Sequence, residues 1–229
     1  MAKILYNNAD EDKKTGIKEH RPIAVTCWSS KIMCTFIREK IEVHLETWGY
    51  GFEVQYGFTE GGKAELCLFT LNYMANRTYE SKKKRHKTLF FAMVDFKKAY
   101  DSINRQKLIE TMGKFEINTR IIEMVVQMYS EDRTTIKLGN KQEKIEVTSG
   151  IRQGCSISTL LFKMVTFNII EELERKGKKY QVDRYMGNSL WIADDATLIA
   201  GSREDMETNI RILRDSAREY GLEISQEKK

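Results

Sequence analysis

A chain of 229 residues that is 41% hydrophobic and 31% charged can build one large domain or two small ones around a sizeable core. No apolar run approaches the roughly 20 residues of a membrane span, the N-terminus has no signal-peptide pattern, and the four cysteines (Cys27, Cys34, Cys67, Cys155) lack metal-ligand spacing. These features point to an intracellular protein with reduced thiols, and the net charge of +5 is compatible with a polyanionic partner without requiring one.

Residues 1–20 are polar and charged, with a loop-like run from Asn7 to Lys18. Arg21 to Val25 reads as a short strand entered through Pro22, the only proline. Ser29 or Ser30 can cap a helix reaching about Leu45, because Ile32, Phe36, Ile37, Ile41 and Leu45 recur at helical spacing. Tyr50 to Gly62 is an aromatic, glycine-rich loop, and a helix follows from about Lys63 to Tyr79. Ser81 to Lys87 holds the densest positive charge and reads as a loop. It is open to three uses: solvation, phosphate contact with a nucleic acid, or nuclear import.

Leu89 to Val94 is apolar without alternation, the pattern of a strand buried on both faces, and it ends at Asp95. Phe96 to Asp101 leads into a helix near Arg105 to Phe115, and Asn118 can cap a second over Thr119 to Met128. Thr134 to Leu138 and Lys144 to Thr148 form a hairpin around Gly139 and Asn140. Gly150 to Ser158 is turn-rich and opens a helix to about Lys176 whose first half, Leu160 to Ile170, is apolar nearly all round. Tyr180 to Met186 is expected as one strand. Ser202 with Asp205 starts the next helix, Met206, Ile210, Leu213, Ala217 and Tyr220 form its apolar stripe, and Gly221 ends it. Leu222 to Ile224 is a last short strand. Short strands mixed with packed helices predict an α+β fold, a sheet with helices on one face.

Between these elements lies the stretch Leu190 to Ala200, in which Asp194 and Asp195 stand together between two short apolar runs. That pattern predicts a hairpin with buried arms and the acids at its turn. A carboxylate at the edge of an apolar core calls for a cation, although an acidic turn on an ordinary surface hairpin has the same sequence. With Asp95, three acids stand at strand ends. Magnesium takes oxygen ligands, commonly one or two carboxylates plus substrate phosphates, and a pair of ions about 3.5–4 Å apart serves phosphoryl transfer.

Six segments in order resemble the reverse transcriptase domain of LINE-type retrotransposons, those without long terminal repeats. His20 to Ile23, followed by the helix after Ser30, and then Gln55, Tyr56, Gly57 and Phe58 resemble two fingers motifs. Asp95 to Asp101 resembles motif A, Gly150 to Cys155 motif B, and Ala193, Asp194 and Asp195 motif C. Gly221 to Ile224 with Lys228 resembles motif D. The match spans roughly residues 20 to 229, and the same palm serves group II intron and telomerase-like enzymes.

The resemblance implies right-hand polymerase architecture: fingers over residues 1–88, including the basic loop 81–87, and a palm over 89–229, with 116–148 returning to the fingers. It implies an RNA-directed DNA polymerase that uses two Mg2+ ions, with Mn2+ able to substitute. RNA template, DNA primer and deoxynucleoside triphosphates would be its partners. Asp95 and Asp194 would ligate both metals with the Phe96 carbonyl, and Asp195 would be a weaker ligand or a turn-former. Arg21 would meet the triphosphate, Tyr100 would exclude the ribose 2′-hydroxyl, and Gln153 and Gly154 would lie under the nucleotide. Lys228 would protonate the leaving pyrophosphate.

The chain departs from the family pattern at Ser156 and Thr159, where motif B usually has proline, and at Ile192, where motif C usually has Phe or Tyr. It also ends before the family's primer grip and thumb and has no endonuclease domain upstream, so slow or distributive synthesis is expected. Two alternatives share the palm. One is a retrotransposon remnant that binds nucleic acid without synthesis; the other is an RNA-directed RNA polymerase, against which Tyr100 weighs.

Overall fold

Three strands pair antiparallel in the order β3–β9–β8 and give the chain its central sheet: β3 (Phe90–Val94), β8 (Ser189–Ile192) and β9 (Asp195–Ala200). The computed structural model describes residues 2–5, 21–24, 27–49, 55, 57, 64–85, 88–130, 133–138, 141–183 and 185–225. Along β8 and β9 successive side chains go to opposite faces, as strand geometry requires. Trp191, Ala196, Leu198 and Ala200 join the larger core, whereas Leu190 and Ile199 join a smaller one.

The larger core is filled by helices. In α6 (Ser158–Lys176) Leu160 to Thr166 are all buried, Lys163 and Thr166 included, in keeping with a first half that is apolar nearly all round. α7 (Arg203–Glu219) starts at Ser202, whose Oγ accepts a hydrogen bond from the Asp205 N–H at 3.0 Å, and it buries Met206, Leu213 and Ala217. α1 (Trp28–Thr47), the short α3 (Ala99–Ser102), α4 (Arg105–Lys114) and α5 (Thr119–Ser130) add Cys34, Ile41, Ala99, Met112 and Val125 to the same cluster. Asn104 and Asn118 cap α4 and α5 through their side-chain oxygens. The smaller core lies between α2 (Ala64–Arg85), the paired strands β6 (Tyr180–Val182) and β7 (Tyr185–Gly187), and the second sheet face. Two further antiparallel pairs complete the described chain: β1 (Ala2–Leu5) with β2 (Arg21–Ala24), and β4 (Arg133–Leu138) with β5 (Lys141–Glu146). Among the described residues no helix is long and apolar enough to cross a membrane.

The structure corrects several expectations. β3 is an edge strand, not one buried on both faces: Phe91 and Met93 are 39% and 86% exposed, and the smaller core takes residues from β8 and β9 but none from β3. α1 begins one residue before Ser29, with Cys27 in the capping position and no side-chain cap. Of its expected stripe, Ile37, Ile41 and Leu45 are buried and Ile32 and Phe36 exposed, with Cys34 taking the remaining inward position. The basic run expected as a loop is helical through Arg85, since lysines and arginine propagate α2 well. Tyr180–Met186 is not one strand but the hairpin β6–β7, turned at Asp183 with φ +48. β1, which lies before the loop-like run in a stretch expected only to be polar and charged, pairs with β2. Apart from Gln55 and Gly57, the expected loop from Tyr50 to Gly62 lies outside the described residues.

Two substitutions test this division of burial. Leu161, fully buried in α6, should cost about 3 kcal/mol when changed to Ala. Met93→Ser on the open face of β3 should stay within about 1 kcal/mol. Urea unfolding followed by circular dichroism measures both.

Candidate active site

The β8–β9 hairpin closes with Ile192 opposite Asp195, so Ala193 and Asp194 are its two turn residues. Ala193 has φ +56 and Asp194 has no positive φ, the pattern of a II′ turn, in which glycine is the usual first residue. Both arms are largely buried, as the sequence predicts. Asp194 is half-buried at the tip and Asp195 is exposed at the start of β9.

The third acid arrives from the neighbouring strand. β3 pairs with β9 so that Val94 faces Ala196, which sets the next residue, Asp95, at the level of Asp195 and beside the turn. Strand alternation puts Asp95 and Asp195 on one face of the sheet and Phe96 on the other. There Phe96 is buried with its ring stacked on Trp191, centroids 6.0 Å apart and planes 18° off parallel. Phe96 also bridges to Ile224: the Lys97 N–H donates to the Glu223 carbonyl at 2.8 Å, and the Ser225 N–H to the Asp95 carbonyl at 2.7 Å. The Phe96 carbonyl takes no part in that exchange. Among the described residues, no three or more His, Cys, Asp or Glu side chains form a group that could hold a metal ion unaided.

Residues 150–155 are bound to the segment after Asp95. The Ile151 N–H donates to the Tyr100 carbonyl and the Gly150 N–H to the Ile103 carbonyl, each at 2.8 Å. Gly150 has φ +78, and a Cβ there would lie 2.5 Å from the Asp101 carbonyl oxygen. Arg105 secures the same turn from behind, donating to the carbonyls of Gly150, Tyr129 and Val147 at 2.6–3.0 Å with its guanidinium 4.8 Å from the Tyr129 ring centre. Gln153 is half-buried and Gly154 exposed at φ +94. Ser156 lies in the turn before α6 and Thr159 in its first turn, so both are accommodated without proline.

Tyr100 stacks on Phe162 with centroids 4.8 Å apart and planes 11° off parallel. Burial pushes its phenol well above the ordinary range, and the negative charge of Asp194 pushes it further, so the hydroxyl sits within the field of the hairpin tip. Behind the turn, Cys34 and Cys155 place their sulfurs 3.2 Å apart. That contact raises the Cys34 thiol and lowers that of Cys155.

The structure therefore brings together the main chain around Asp95, Phe96, Asp194 and Asp195, with Tyr100 and the 150–155 turn alongside. Arg21 is described only as backbone, opposite Leu5 in β2, and Lys228 lies outside the described residues. Sequence reasoning missed what Gln55 does. It is buried at 2% exposure, and its amide bonds both main-chain groups of Ala193. Its signals were its place in the second fingers-motif resemblance and its polarity inside a loop rich in glycine and aromatics; neither points to the hairpin.

Comparison with known proteins agrees with this geometry. The profile of the family described as reverse transcriptase (RNA-dependent DNA polymerase) matches residues 12–229. The Pol polyprotein of the type-1 retrotransposable element R2 from Nasonia vitripennis is 26% identical over 140 residues, covering 60% of this chain and 14% of that polyprotein. An R2 polyprotein from Popillia japonica is 21% identical over 212 residues, covering 91% of this chain and 29% of its own length. The chain thus spans less than a third of either relative. Among solved structures, telomerase from Candida tropicalis with a fragment of telomeric RNA superimposes with TM-score 0.64 at 15% identity, over 88% of this chain and 34% of that one. Telomerase from Candida albicans gives 0.58 at 10% identity, over 99% and 40%. At these identities the telomerases share the fold.

Gly150→Ala should destabilise the chain by about 2–3 kcal/mol, from positive-φ strain plus the clash with Asp101. Gly113→Ala in α4, where an added Cβ meets nothing within 4 Å, should be neutral or stabilising by up to about 1 kcal/mol. Paired denaturation curves give the contrast.

Proposed function

The chain belongs to the reverse transcriptase (RNA-dependent DNA polymerase) family, in its LINE-type branch, and from that premise we propose that it adds deoxynucleotides to a primer 3′-hydroxyl under the direction of an RNA template. The observation that carries the reading is the β3–β9 register, which brings Asp95 level with the hairpin of Asp194 and Asp195.

The donor set suits magnesium. Carboxylates at the ends of adjacent strands offer the hard oxygen donors of an ion that completes its shell with water and substrate phosphates. Asp95 and Asp194 would hold two ions, with the Phe96 carbonyl adding a ligand and Asp195 a weaker one; manganese could substitute. When bound, the metals activate the attacking hydroxyl and stabilise the leaving oxygen.

The remaining roles belong to side chains and main chain. Tyr100, its ring plane fixed by Phe162, would fill the space of a ribose 2′-hydroxyl and so select deoxynucleotides. Gln153 and Gly154 would underlie the nucleotide, with glycine permitting close main-chain approach. Arg21 offers a planar donor fork for the triphosphate, and Lys228 a proton for departing pyrophosphate. The hybrid would be gripped through phosphates and helical shape, for which a modest basic excess suffices. In right-hand terms, 1–88 would be fingers and 89–229 palm, with 116–148 returning to the fingers.

Magnesium-dependent extension of a primed RNA tests the reading. Asp194→Asn should reduce the rate roughly a hundredfold or more, the scale of losing a group that stabilises transition-state charge. An unchanged rate would refute the metal assignment. Binding of primed RNA without extension at any magnesium concentration would favour a non-synthesising remnant. Tyr100→Phe should leave sugar choice intact and Tyr100→Ala should admit ribonucleotides, as single-nucleotide incorporation will report.

A further inference from the structure

We infer that Gln55 is a positioning residue that holds the Ala193–Asp194 turn, and with it the Asp194 carboxylate, in metal-binding geometry. The inference rests on the proposed role of Asp194 as a metal ligand and adds the device that fixes it.

Three hydrogen bonds define the device. The Gln55 Nε2 donates to the Ala193 carbonyl at 3.0 Å, and its Oε1 accepts from the Ala193 N–H at 3.0 Å and from the Gly57 N–H at 3.0 Å. A neutral side-chain amide presents a donor and an acceptor side by side, so it can pair with both main-chain groups of one residue as a strand neighbour would. Gln55 in addition bridges in parallel to Trp191, two residues before the turn residue it grips. Its burial matters, because these bonds are shielded from competing water.

The turn has reason to need holding. Ala193 carries φ +56, a conformation that costs any residue with a Cβ and that relaxes unless its surroundings enforce it. The chain beside it is pressed against the same main chain. A Cβ on Gly57 would lie 2.1 Å from the Ala193 nitrogen and 2.8 Å from its Cα. Asp194 follows directly, so any relaxation at Ala193 moves its carboxylate as well. No other side chain fills the part: asparagine is one methylene short, glutamate lacks the donor, and methionine has the length but neither polar group.

The test uses the full chain and reads metal binding apart from synthesis. Titration of the free protein with Mn2+, followed by electron paramagnetic resonance, is compared for the unsubstituted chain, Gln55→Met, Gln55→Met with Ala193→Gly, and Asp194→Asn. Gln55→Met should weaken Mn2+ binding about tenfold, the usual effect of losing a group that orients a metal ligand. It should raise the half-saturating Mg2+ of primer extension by a similar factor, while nucleotide KM at saturating metal stays unchanged. Glycine at 193 accepts the positive φ without strain, so the double variant should regain most of the loss. Hydrogen exchange in the unsubstituted chain should find the Ala193 amide protected to the level of β8, which holds whether or not Gln55→Met folds.

A folded Gln55→Met with unaltered Mn2+ affinity, a double variant with no recovery, or a freely exchanging Ala193 amide would each overturn the inference. If Asp194→Asn abolishes Mn2+ binding while Gln55→Met retains it, the inference alone fails. If Asp194→Asn binds Mn2+ normally, the metal reading falls and the inference with it.

Discussion

The pairing of Val94 with Ala196 is the constraint on which the site depends. Strand side chains alternate with period two, so a slip of one residue would carry Asp95 to the opposite face and pull Phe96 out from against Trp191. The slip is opposed from both sides of β3. Val94 and Ala92 pack into the larger core on one face, and on the far edge residues 223–225 add two main-chain hydrogen bonds around Phe96. The acids gain their position from this frame, while contributing little to the packing that builds it.

From that frame the neighbouring segments are assembled largely through backbone. Ile151 bonds to Tyr100, Gly150 to Ile103 and Asn104 to Tyr220, so the turns before α6 and after α7 converge on residues 100–104, between β3 and α4. Arg105 gathers three further carbonyls beneath it. These contacts need glycine at 150 and a long planar donor at 105, and otherwise make few demands on side chains. That economy is consistent with a fold shared with the telomerases at only 10–15% identity.

Legibility from sequence followed the same division. α6, α7 and the acidic hairpin were readable because their burial is recorded in apolar spacing and in caps such as Ser202. The convergence of Asp95 with the hairpin was readable only through family resemblance, since strand order is a long-range fact that local patterns do not encode. β3 misled for a physical reason: its run of apolar residues is that of a central strand, yet it stands at the sheet edge and contributes nothing to the smaller core. β6–β7 misled because Asp183 adopts a positive φ that no glycine advertises. The proximity of Cys34 and Cys155, 121 positions apart in sequence, left no local trace at all.

The grip of Gln55 on the hairpin addresses main-chain atoms only. A peptide group is the same whatever side chain hangs from it, so the hold is indifferent to the identity of residues 192 and 193 as long as the backbone keeps its path. Ile192, an aliphatic residue in a place the family usually gives to an aromatic ring, packs against the smaller core. The Gln55 amide thus fixes the path of the main chain into Asp194 without contacting the Asp194 side chain.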